Sequence, residues 1–167
     1  MGKLQLKKEL ALMSHEEIVQ IVMDAYAARR EVKEYFDFFL NPDIDKLRDK
    51  TLARIDREIT RGKHGRSTAR ITVVRKALKD FASYDPGAEY VRDIMLEALR
   101  RILAREKFVY YKETFEKGIR RLIDDIVAYA DAHALVDTTL DALCKIARDP
   151  AMGTIGFRNR LMIRFIQ

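Results

Sequence analysis

Residues 91–105 read VRDIMLEALRRILAR, and their apolar positions Val91, Ile94, Met95, Ala98, Leu99 and Ile102 recur at the three- and four-residue spacing of one helix face. Arg92, Asp93, Glu97, Arg100 and Arg101 take the remaining circumference, so the stretch predicts an amphipathic helix with one stripe turned to a core. Extending the same wheel to residue 122 at ~100° per residue, the apolar face jumps by about a third of a turn between Ile102 and Phe108. That jump predicts two helices joined near Glu106 to Tyr110. The second contains Phe115, Ile119, Leu122, Ile123, Ile126 and Val127, with Arg120, Arg121, Asp124 and Asp125 towards solvent.

The same period continues on both sides. Ser14 and Glu17 have the spacing of a capping box, and Ile18, Ile21, Val22, Ala25 and Val32 extend a helix from about 15 to about 40, with a break near Arg30. Tyr35, Phe36, Phe38 and Phe39 surround its end, which predicts a packing hub buried by several neighbours. Asn41-Pro42 closes that element, because proline disfavours helical geometry in the residue before it. Ile44, Leu47, Leu52, Ile55 and Ile59 form a narrow stripe on a helix expected to be half exposed; Gly62 and Gly65 break the chain; Ser67 or Thr68 recaps a helix bearing Ile71, Val74, Ala77, Leu78 and Phe81. Thr138 and Asp141 resemble a second capping pair, before Leu140, Leu143, Cys144 and Ala147. Pro150 and Gly153 end that helix, and a short basic tail helix is expected over 157–167, with Arg158, Arg160 and Arg164 against Leu161, Phe165 and Ile166, docked on the core. No run alternates between turn residues as a strand would. The expected fold is all-α: one domain over 1–167, an antiparallel helical bundle or compact stack of helical hairpins, with about six to eight helices and no sheet.

Composition narrows the class. Apolar residues make up 48% and charged residues 35%, values of an ordered, soluble chain. No apolar run approaches the ~20 residues that span a bilayer, and MGKLQLKKEL interrupts any signal-peptide core with charge, so a cytoplasmic location is expected. The single cysteine, Cys144, forms no internal disulfide and fits a small core position. His15, His64 and His133 are scattered, and the acidic pairs Glu16-Glu17 and Asp124-Asp125 diverge by about 100° on a helix. No catalytic residue, metal ligand or cofactor motif stands out.

Charge offers the one functional lead. Residues 61–79 hold seven basic side chains, Arg61, Lys63, Arg66, Arg70, Arg75, Lys76 and Lys79, and no acid. The chain has 32 basic and 26 acidic residues, so without this segment 25 face 26 and the positive excess is gone. Such a segment attracts anions. Its Gly62-x-x-Gly65 core resembles the backbone-clamping loop of KH domains, but that fold requires a sheet not expected here, and the P-loop spacing of glycines before Lys-Ser/Thr is not met. No aromatic residue interleaves the cations, which argues for contact with phosphate rather than bases.

Four stretches carry a family resemblance: LKKELALMSHEEIVQIVMDAY at 6–26, VKEYFDFFLNPD at 32–43, RKALKDF at 75–81 and CKIARDP at 144–150. With them the chain resembles a family of small all-helical bacterial proteins of unknown function. The resemblance implies an all-helical cytoplasmic bacterial protein and brings no site residues, while the basic tail departs from it. The functional expectation is a non-enzymatic binding module whose 61–79 cations meet an anionic partner, nucleic acid or an acidic protein. A protein–protein or structural module, homodimeric through the aromatic face or the tail, is the alternative, with the basic loop merely solvated.

Overall fold

The computed structural model describes residues 2–162, and among these it forms nine helices and one two-stranded sheet. In chain order they are α1 (Lys3–Leu10), α2 (His15–Ala28), α3 (Arg30–Leu40), α4 (Ile44–Ile59), β1 (Gly62–Lys63), β2 (Arg66–Ser67), α5 (Ile71–Ala82), α6 (Ala88–Arg105), α7 (Glu113–Ala132), α8 (Val136–Arg148) and α9 (Ile155–Met162). The protein is mostly helical, as periodicity predicts. The expected absence of a sheet and the count of six to eight helices are corrected, because two-residue strands are too short to show alternation and α1 adds a helix that the sequence pattern does not predict, while the break expected near Arg30 falls at Arg29.

Backbone contacts divide the chain into two compact units, Met1–Asp43 and Ile44–Gln167. In the first, the capping box forms as expected: the Glu17 N–H donates to Ser14 Oγ (3.2 Å) and the Ser14 N–H to a Glu17 carboxylate oxygen (2.8 Å). Arg29 is extended (φ −131°, ψ 116°), which ends α2 and starts α3, and the Tyr26 hydroxyl donates to Asp37 across the break (2.7 Å). The aromatic quartet is not the buried hub that its pattern predicts. Phe39 is 68% exposed, Tyr35 is exposed and Phe36 and Phe38 are half-buried, since residues pointing around the whole of α3 cannot all be covered by α2.

The second unit is organised around α6, which packs on α4, α5, α7 and α8. Val91, Ile94, Met95, Ala98, Leu99 and Ile102 are all buried, and Leu96 and Leu103 join them, so the stripe is wider than one face. Each fully buried Leu or Ile contributes about 1.5–3 kcal/mol over exposure. Leu52, Ile55 and Ile59 of α4 complete one side, where Arg101 bonds both Asp56 and Glu97. Gly118 lets α7 approach the start of α5, because a Cβ there would lie 2.3 Å from Ile71 Cγ2. Between α6 and α7 the chain breaks where expected. Tyr111 in that connection is buried, stacks on Phe115 (4.5 Å between centroids) and donates its hydroxyl to the Ile102 carbonyl (3.2 Å).

Two local expectations are corrected. Thr138 lies inside α8, donating to the Leu135 carbonyl (3.2 Å) and accepting from Arg92 (3.0 Å), while Asp141 pairs with Lys145 (2.7 Å), so no capping pair forms. The tail helix starts two residues earlier than expected and docks through Phe157, Leu161 and Met162; Arg158 is itself buried and donates to the Ala147 carbonyl (2.8 Å). Arg164, Phe165 and Ile166 lie outside the described residues.

Candidate functional site

The basic loop is a hairpin. Gly62 pairs with Ser67 and Lys63 with Arg66, around a turn in which His64 (φ 52°) and Gly65 (φ 74°) both have the positive φ that a type I′ turn requires. Gly62 is fixed by its own conformation (φ 142°), since a Cβ would sit 2.1 Å from the Arg66 carbonyl oxygen. β2 also pairs on its other side with the α6–α7 connection. The Tyr110 N–H donates to the Gly65 carbonyl (2.7 Å) and the Ser67 N–H to the Tyr110 carbonyl (3.1 Å), a parallel bridge between Arg66 and Tyr110.

Ser67 is thus a strand residue, and its hydroxyl accepts from the Ala69 N–H (3.1 Å) instead of capping α5. The N–H of Arg70, which caps α5 without a side-chain bond of its own, donates to Glu58 (2.9 Å). Glu58, from the last turn of α4, is buried and also accepts from the Arg70 guanidinium (3.2 Å) and Arg61 (3.3 Å). Burial pushes its carboxyl up, but the bonds from Arg70 and then Arg61 outweigh burial and hold it below the usual carboxylate value.

The seven cations fall into three groups. Lys63 and Arg66 lie on the hairpin, exposed and without a carboxylate partner among the described residues. Arg61 and Arg70 are held by Glu58, and Arg75 makes a two-pronged pair with Asp125 (2.7 and 3.0 Å), fifty residues away. Lys76 and Lys79 join Arg75 at the rim of a cavity of about 400 Å³ floored by Leu78, Val91, Met95 and Leu122. The segment is acid-free in sequence, yet in space other elements supply carboxylates to three of its seven cations.

Arg70 and Arg75 also line a groove of about 470 Å³ between α5 and α7 with Thr72, Thr114, Lys117 and Arg121. No acid lines it. Lys117 pairs outside it with Glu113 (2.8 Å), and Arg121 has no carboxylate partner among the described residues. A third cavity of about 540 Å³ mixes Arg48, Arg100 and Arg101 with Asp49, Asp93 and Glu97, so its charges balance.

Sequence reasoning missed Lys117, Arg121 and the two threonines. The available signal was a glycine inside an amphipathic helix, Gly118, flanked by cations at 117 and 121. It also missed that Tyr110, 73% exposed, stands beside Arg66, and Phe108 is exposed as well, so neither belongs to the core. Among the described residues, no group of three or more His, Cys, Asp and Glu is placed to hold a metal ion. No helix among them is long and apolar enough to cross a membrane.

A family model described as a family of unknown function, DUF6155, matches residues 1–156, and the chain belongs to that family. No curated protein and no solved structure matches the chain.

Proposed function

We propose that this chain is a non-enzymatic helical binding module, acting in the cytoplasm, whose basic surface meets the phosphate backbone of nucleic acid. The observation that carries the reading is the α5–α7 groove, which is lined by Arg70, Arg75, Lys117, Arg121 and two threonines and, among the described residues, by no acid. Its volume is in the range of ligand sites, roughly 300–1,000 Å³. Arg75 and Asp125 are each about two-fifths exposed, so giving up their pair for a phosphate costs little, ~0.2–1 kcal/mol for pairs of this kind. Arginine suits the role because its planar fork meets two phosphate oxygens at once.

Fluorescence anisotropy with labelled duplex DNA and RNA at ~50 mM salt tests the proposal, since weak screening exposes charge-driven binding. Engagement of four phosphates on duplex DNA gives a slope of about −3 to −4 in log affinity against log salt. Lys117→Glu with Arg121→Glu is expected to weaken binding sharply. Absence of binding at this salt, or binding unchanged in that double variant, defeats the proposal.

A second reading, a protein-interaction module, is favoured by the exposed apolar side chains of the first unit, Leu12 at 84% and Leu40 at 69%. Light scattering showing a monomer that captures no second copy at high concentration removes its homodimeric form.

A further inference from the structure

We infer that the outward face of the small sheet around β2 is a stacking site for single-stranded nucleic acid, with Tyr110 as its base platform and Lys63 and Arg66 as its phosphate contacts. The inference rests on the anion-binding reading above and specifies the partner.

Residues bridged across neighbouring strands project to the same face, ~4.8 Å apart, while their chain neighbours project to the other. Lys63 is bridged to Arg66, and Arg66 to Tyr110, so the three stand in a row. Burial confirms the alternation: Ser67 and Tyr111, the next residues along, are 4% and 1% exposed, whereas Tyr110 is 73% exposed. Two backbone hydrogen bonds to the hairpin, at Gly65 and Ser67, fix the backbone of Tyr110, and its ring is exposed to solvent and adds nothing to the core.

The surroundings select the ligand. Lys63, Arg66, Lys107 and Lys112 are exposed and have no carboxylate partner among the described residues. Phe108, 71% exposed on the same connection, offers a second ring, with the Arg105 guanidinium 5.9 Å from its centroid. The nearby acids are turned to other tasks. Glu106 accepts from the Thr154 N–H (2.8 Å) and hydroxyl, and Glu113 pairs with Lys117. An exposed ring amid unpaired cations suits a polyanion whose bases are free to stack, whereas a duplex keeps its base faces stacked on one another.

The test uses the full chain at ~50 mM salt with three labelled probes: a twelve-nucleotide thymidine strand, an abasic strand of equal length, and a duplex of equal length. The wild type is expected to prefer the thymidine strand over the abasic one, and Tyr110→Ala to lose about ten-fold on the thymidine strand alone. Tyr110→Trp should retain the preference and Tyr110→Leu, which keeps apolar bulk without a π face, should lose it. Thymidine binding by Tyr110→Ala or Tyr110→Leu at the wild-type level overturns the inference, as does equal loss on both strands or preference for the duplex. In those outcomes charge-driven binding persists and the function proposed above stands. Failure of the wild type to bind any of the three probes defeats both.

Discussion

Replacing Glu58 with glutamine removes one negative charge and almost no volume from the point where α4, the hairpin and α5 meet. The carboxylate accepts from the Arg70 N–H at 2.9 Å, the Arg70 guanidinium at 3.2 Å and Arg61 at 3.3 Å. Severing a fully buried ion pair costs about 3–5 kcal/mol, because a charge is stranded. Here Arg61 and Arg70 are 46% and 61% exposed and rehydrate, and glutamine keeps an acceptor for the Arg70 N–H. The expected loss is therefore ~1–2 kcal/mol, between an ordinary hydrogen bond and the low end of one to a charged group, or a fall of about 4–8 °C in Tm for a unit of this size. Because the Glu58 carboxyl is held below its ordinary value of about 4.3, its contribution is fully present above that pH and is lost as pH falls through the folded value. Urea unfolding of wild type and Glu58→Gln from pH 7 to 3.5 should give a gap that is constant well above the ordinary carboxylate value of about 4.3 and narrows as pH falls below it. Anion binding should be unchanged or tighter, since two arginines are released. Equal stabilities at pH 7, or a gap undiminished at pH 3.5, would refute the reasoning.

Gly118→Ala should cost about 1–3 kcal/mol by overpacking against Ile71. Adding Ile71→Ala should recover part of that loss, so the double-mutant cycle by urea unfolding should show favourable coupling; additive losses would count against the close approach. Tyr111→Phe should cost about 1 kcal/mol, the net value of the hydroxyl bond to Ile102, with m-value unchanged. Burial raises the Tyr111 phenol above its usual value, so near-ultraviolet titration of the folded chain should find the same tyrosinate signal in wild type and Tyr111→Phe through the range where exposed tyrosines ionise.

What the sequence reveals is local. The Ser14–Glu17 box, the break beside Arg30, the stripe of residues 91–105 and the interruption near 106–110 depend on neighbours within about one or two helical turns, where spacing determines geometry. The hairpin stayed hidden because its strands are two residues long and its turn is His-Gly rather than Asn-Gly or Asp-Gly. Charge was legible as composition but not as field, since Glu58 answers Arg70 from twelve residues away and Asp125 answers Arg75 from fifty. Tyr110 and Tyr111 make the limit plain. They are identical and adjacent, and only the bridge to Arg66 sends one outward and the other into the core.

Arg75 borders both the α5–α7 groove and the apolar-floored cavity that carries Lys76 and Lys79 at its rim. A guanidinium has one plane and swings on one stem, so it cannot turn its fork to an anion on each side at once. Anion binding in the two hollows would consequently be linked. An anionic occupant of one that recruited Arg75 would withdraw a ligating group from the other, so two anionic guests would antagonise each other without touching, each competing with Asp125, which lines the apolar-floored cavity and holds the guanidinium in a two-pronged pair.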